Sequence, residues 1–257
     1  MAHNTINSEQ GHWVLAKMGK TILRPGGKEL TETLVNSMEI KNSDSVVEFA
    51  PGMGITASLL IGKNPKKYTG IELNKEAAEK LQKKYGHNGY GIVNTSASNT
   101  GLEDSSVNQV IGEAMLTMQA DHRKAEIIRE AYRILKPGGV YGIHEMGLMP
   151  DNIGADVKKD IQQGLSKTIK VNARPLCKSE WCALLEKEGF KIKVVEERPM
   201  ALLQVKRVLA DEGLLRTLKI GFNVLTHPKE RKKIFTMRKI FTKYKDHLTS
   251  YAIIAEK

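Results

Sequence analysis

Glu48, Gly52, Gly54 and Ala57 fall together in VVEFAPGMGITASLL, Val46 to Leu60, where an apolar run passes into a small-residue turn and then into a helical pattern. A GxGxxA turn at such a junction leaves main-chain N–H groups bare enough for a nucleotide-like ligand to lie against them. Twenty residues beyond Gly52, at the end of the next apolar run, stands Glu72 in TGIELN. A carboxylate at that distance can accept hydrogen bonds from both hydroxyls of a ribose. Further along, Glu113, His144 and Glu145 also sit where apolar runs end, and such positions form the ligand crevice of an open α/β sheet. Glu113 and His144 are the candidates for acid–base chemistry, His144 because its ordinary pKa suits a base near neutrality. Alternation along VYGIHEM puts His144 on one side of its strand and Glu145 on the other, so only one of them can face the crevice.

Two ligand classes use such a turn, and Glu48 separates them. A dinucleotide brings a pyrophosphate dianion, which a carboxylate just before the glycines would repel in a low-dielectric cleft. S-adenosylmethionine has no phosphate and carries a sulfonium and an ammonium, so an acid there is favourable. The methyl donor fits better, and a nicotinamide-dependent oxidoreductase is the competing reading.

The elements that must hold these residues alternate strictly. Strand patterns at 45–50, 68–72, 89–93, 107–112 and 140–145 are separated by helical patterns at 53–62, 74–85 and 122–135; FKIKVVEERPM and the closing LTSYAIIAEK add two more strands. This predicts a Rossmann-like, doubly wound α/β fold, with a mostly parallel seven-stranded sheet and an antiparallel C-terminal strand. Helices between Gly11 and Met38, broken at RPGG (24–27), precede the first strand and are free to fold over the ligand. Residues 1–44 are therefore read as an N-terminal helical lid, 45–200 with 248–257 as the nucleotide-binding domain, and 201–247 as a basic helical cap insertion.

Three blocks in this order carry a family resemblance: VVEFAPGMG, LEDSSVNQVIGEAML and AYRILKPGGVYGIHE. They resemble the first motif, fourth-strand block and fifth-strand block of class I S-adenosylmethionine-dependent methyltransferases, in particular the branch containing the ubiquinone/menaquinone-biosynthesis enzymes. The resemblance implies that Glu48, Ala50, Gly52 and Gly54 surround the methionine part of the donor and that Glu72 holds its ribose. It further places Ser96 and Ala97 beside the adenine, and Glu113 with Ala114 near the methionine amino group. Ala50 stands where the family usually has glycine, a change expected to be tolerated if the backbone there is extended. Pro51 removes one N–H from the turn. Glu145 aligns with a position the family often fills with an acid, which points to binding or structure.

The expected reaction is methyl transfer to a small molecule by in-line displacement, in which alignment of nucleophile, methyl and sulfur does most of the work. Met115, Met118 and Met146 cluster near strand ends, and with Trp13 and Glu145 they are the candidate lining of an adaptable acceptor pocket. No metal is expected: the two cysteines, Cys177 and Cys182, are five apart, and the seven histidines form no ligand pattern.

The chain of 257 residues, 40% hydrophobic and 27% charged, has the balance of a globular protein, with no apolar run of membrane-spanning length and a polar start unlike a secretory signal. A cytoplasmic location is the expectation. The net charge of +11 is concentrated late: between Ala201 and Ser250 there are twelve Lys or Arg against four acids. That segment could meet an anionic substrate or a membrane surface. Nucleic acid is not expected, because the segment offers few aromatics for stacking and no Asn-Pro-Pro-aromatic block follows the fourth strand. The reading from a different class is a binding module, for nucleic acid or membrane surfaces, that keeps the fold without catalysis.

Overall fold

A computed structural model of the chain describes residues 10–87 and 89–257. The part of the lid assignment that falls on residues 1–9 lies outside the described residues. The helical and strand patterns emerge close to their expected bounds: β1 (Ser45–Phe49), α3 (Ile55–Ile61), β2 (Lys67–Ile71), α4 (Lys75–Tyr85), β3 (Tyr90–Val93), β4 (Val107–Glu113), α5 (Asp121–Ile134) and β5 (Leu135–Leu148). They follow α1 (Gly11–Lys17) and α2 (Gly27–Ser37), which flank the RPGG break. Beyond β5 come α6 (Ala155–Ile169), β6 (Leu176–Cys177), α7 (Lys178–Lys187) and β7 (Lys191–Pro199). Three consecutive helices, α8 (Val205–Glu212), α9 (Leu214–Thr226) and α10 (Pro228–Lys243), then lead to β8 (Leu248–Glu256).

The strands form one sheet in the order β3-β2-β1-β4-β5-β8-β7, with the two-residue β6 attached to the end of β5 as an eighth strand. All pairings are parallel except those of β8, which runs antiparallel to both β5 and β7. The order reverses between β1 and β4, and the carboxyl ends of these two strands carry the glycine turn and Glu113. Four of the five residues of β1 are buried, as expected for a strand covered by helices on both faces. One layer packs Leu30 and Leu34 of α2, and Met38 just after it, with Leu60 of α3 against the sheet. The opposite layer packs Ile127, Ile128 and Ile134 of α5 with Trp181 and Leu185 of α7. A third apolar cluster joins α1, α6 and α10 through Val14, Ile161, Leu165 and Met237.

The turn after β1 is fixed by close packing. Gly54 caps α3 with φ +75°, and a Cβ there would sit 2.6 Å from Leu81 Cδ2, so only glycine lets α4 approach. Tyr85 locks the approach by donating its hydroxyl to the Gly54 carbonyl at 2.9 Å. Asn74 starts α4 by accepting the Ala77 N–H, which keeps Glu72 two residues upstream at the strand end.

Candidate active site

A cavity of about 280 Å³ opens at the carboxyl edge of the sheet. One side is formed by the strand ends, with Ala50, Gly52, Met53, Glu72, Glu113, Ala114 and Met115; the other by α1, the segment after it, and α10, with His12, Trp13, Leu23, Met237 and Phe241. Met118 and Met146 complete the apolar wall, so of the expected acceptor-pocket residues Trp13, Met115, Met118 and Met146 all line it. Glu145 does not.

Glu113 is the electrostatic centre of this edge. Its Oε1 accepts the Thr31 hydroxyl at 2.6 Å and lies 2.8 Å from His144 Nδ1; its Oε2 accepts the Thr56 hydroxyl and lies 3.5 Å from Arg24 Nε. Burial alone would push this carboxyl up, but Arg24, then the His144 ring and the Thr31 hydroxyl, outweigh it and hold it down at about 2. A carboxylate so strongly held in its ionised form is a poor proton acceptor. Its position suits charge placement, not proton transfer.

His144 is fully buried and outside the cavity lining. Its Nε2 accepts the Gly26 N–H at 3.0 Å, which leaves the Nδ1 hydrogen to donate to Glu113. Both ring nitrogens are therefore engaged, and the lone pair a general base needs is occupied by the backbone. This corrects the expectation that His144 could take a proton from the acceptor: His144 faces α2 and the RPGG segment instead of the crevice. Gly26 is required for that contact, since a Cβ there would lie 2.8 Å from Nε2.

Glu145, on the opposite side of β5, is also fully buried and accepts the N–H groups of Met115, Leu116 and Thr117 together with the Thr117 hydroxyl. It caps the single 3-10 turn Leu116–Met118 and so holds Met115 and Met118 at the cavity wall. The expectation that it lines the pocket is corrected: its four acceptor sites are already spent on the turn. Burial raises its pKa, against those four bonds.

Glu48 departs from expectation as well. It is 3% exposed, lies outside the cavity lining, and accepts the Tyr68 hydroxyl at 2.6 Å. Burial pushes its pKa up to about 8, against the pull of Tyr68 and Arg24, which favours its neutral form over a fixed charge. The carboxyl groups that do line the cavity are those of Glu72 and Glu113. Glu72 lies at the cavity edge, accepting Gly52 N–H at 3.0 Å and Asn74 N–H at 2.9 Å. Ala50 has φ +52°, so the extended backbone on which its replacement of glycine was conditional is not there, and Ala114, the matching residue after β4, also has φ +52°. Both line the cavity, and left-handed alanine is strained by roughly 1–2 kcal/mol. Ser96 and Ala97 lie outside the lining, in a short bridged turn where Ser96 pairs with Asn99 and its hydroxyl meets that of Ser98.

Arg24, Thr31 and Thr56 escaped the sequence reading. Arg24 looked like part of a helix-breaking RPGG, and nothing in its spacing tells that it crosses to a glutamate 89 residues later. His12 lines the cavity, with its pKa lowered to about 4 by burial. No group of three or more His, Cys, Asp or Glu able to hold a metal occurs among the described residues.

Residues 47–143, which contain the turn, Glu72, Glu113 and the KPGG block, match the family model described as a methyltransferase domain. That stretch is a methyltransferase domain, and the chain carries it on a class I S-adenosylmethionine-dependent methyltransferase fold. A Haemophilus influenzae protein described as uncharacterized is 33% identical over 253 residues, covering 97% of this chain and 98% of its own. In fold, this methyltransferase is similar to the [4+2]-cyclase SpnF (TM-score 0.73, 14% identity, 97% of this chain and 94% of that one). It is also similar to Haemonchus contortus phosphoethanolamine N-methyltransferase 2, solved with S-adenosyl-L-methionine (TM-score 0.71, 17% identity, 98% of this chain and 58% of that one).

S-adenosylmethionine is the cofactor of such a methyltransferase, and the cavity suits it. Among the described residues the charged lining consists of Glu72, Glu113 and Arg24, and Arg24 is paired to Glu113 instead of being free to hold a phosphate. At the cavity edge the Glu72 carboxyl accepts the Gly52 N–H, an acid beside a glycine turn that fits a nucleoside carrying positive charge.

Proposed function

We infer that this methyltransferase transfers a methyl group to a small, largely apolar acceptor. One observation carries the reading: a single cavity of about 280 Å³ is bounded on one side by the glycine turn, Glu72 and Glu113, and on the other by Trp13, Met118, Met146, Met237 and Phe241. An apolar wall with a few convergent polar groups is the composition of a small-molecule site. The bound donor supplies a methyl group already activated by the sulfonium charge.

The chain's own residues then have three tasks. Glu72 holds the ribose, Ala50, Gly52 and Ala114 leave room at the backbone, and the Arg24-paired Glu113 gives the methionine end a fixed negative neighbour. Trp13, Met237 and Phe241 exclude water and orient the acceptor opposite the turn. With His144 committed to Gly26 and Glu113, alignment and desolvation are the main catalytic contributions, and the acceptor is one that needs no strong base. The helices 201–247, with the segment before β1, act as the cover over the acceptor.

Incubation with methyl-labelled S-adenosylmethionine and a cell extract, followed by separation of small molecules from protein and RNA, tests the reading. Label is expected in the small-molecule fraction. Label confined to protein or RNA would refute it.

A further inference from the structure

Helix α9 carries an apolar face outward. On its inner side Asn223 donates to the Met18 carbonyl at 3.0 Å, while Leu214, Leu215, Leu218, Phe222 and Leu225 are each more than 60% exposed. At about 100° per residue these five side chains fall within one arc of roughly 100°. Val205 and Leu209 of α8 and Phe235 of α10 are exposed as well, so three successive helices contribute to an apolar surface. Scattered exposed leucines need no explanation, but a continuous apolar face does.

The charges around this face identify its occupant. The acids of α8 and α10 turn inward: Asp211 accepts the Lys28 N–H, Glu212 accepts the N–H groups of Thr21 and Ile22, and Glu230 pairs with Lys17. Lys206, Lys219, Lys229, Lys232, Arg238 and Lys239 are exposed and, among the described residues, have no carboxylate partner. An apolar stripe bordered by unpaired cations is the pattern of a helix that lies in a membrane interface, its leucines among acyl chains and its lysines at anionic headgroups. RNA would use the cations and leave the leucines in water. A second copy would use the leucines and bring like charges together.

We propose that α8, α9 and the outer side of α10 form a docking surface for an anionic lipid bilayer. The inference stands apart from the identity of the acceptor. No helix among the described residues is long and apolar enough to cross a membrane, so the contact is interfacial.

Flotation of the full chain with phosphatidylcholine vesicles, with and without phosphatidylglycerol, tests it. Binding is expected to the anionic vesicles and to weaken with added salt. The variant Leu218→Ser/Phe222→Ser, altered only at exposed positions, should lose on the order of tenfold or more in vesicle affinity. Each of Lys219→Glu and Lys232→Glu should lose roughly fivefold or more. Melting temperature and S-adenosylhomocysteine binding, measured on the same samples, should match wild type. The proposal is overturned if wild type floats with neither vesicle, if the serine variant floats like wild type, or if light scattering shows a dimer that the serine variant dissociates without any vesicle binding. Salt-sensitive RNA binding without vesicle binding would also overturn it.

Discussion

Arg24 reaches across the carboxyl edge of the sheet to Glu113, Nε 3.5 Å from Oε2, with both side chains less than 10% exposed. Removing either partner leaves a buried charge, so Arg24→Met and Glu113→Gln should each cost about 3 kcal/mol or more in denaturant unfolding. The double variant should cost clearly less than the sum. Additive losses would show that the pair is not coupled.

His144 is tied to Gly26 and Glu113, so His144→Asn is expected to lower stability while leaving the shape of the pH–rate profile unchanged. A general base would reveal itself by the disappearance of the limb near neutrality. The measurement is kcat/KM against pH on any acceptor found by label transfer.

Glu48 gives stability a pH dependence of defined sign. Its folded pKa is raised from 4.5 to about 8, so between those values the folded chain holds a proton that the unfolded chain releases. Its contribution to stability therefore falls as pH rises through that window and is lowest above about 8. Glu48→Gln should remove the slope, and its advantage over wild type should grow by an amount on the order of a few kcal/mol from pH 5 to pH 9. Chemical denaturation across that range measures it.

With Glu72 proposed to hold the ribose, Glu72→Ala should weaken S-adenosylhomocysteine binding by roughly tenfold or more. Calorimetry reads this directly. Unchanged affinity would remove Glu72 from the donor site.

Ala50→Gly should stabilise the protein by about 1 kcal/mol, because glycine adopts φ +52° without the Cβ strain. A gain in melting temperature, with donor binding retained, is the expected outcome. A loss would mean that the methyl group of Ala50 packs more favourably than its backbone is strained.

The sheet was legible in the sequence because its signals are local: apolar runs of strand length, helical periodicity, and glycines at the first turn. The cavity's apolar wall was partly legible too, since Met115, Met118 and Met146 stand at strand ends. Side-chain direction was not. Glu48 and Glu145 sit in the right places along the chain, yet one bonds Tyr68 and the other a turn of N–H groups, choices made by neighbours far away in sequence. Arg24 was invisible for the same reason, and Ala50 was misjudged because a positive φ in a non-glycine residue leaves no trace in composition.

Helix α10 is a partition one helix thick. Met237 and Phe241 face the cavity, whereas Phe235, two residues from Met237 and therefore nearly opposite on the helix, is exposed on the outer side. About 10 Å separates the two sides. A greasy acceptor stored in whatever rests against that outer surface would need only a short passage around a single helix, and its supply would be governed by its concentration in that phase rather than by its solubility in water.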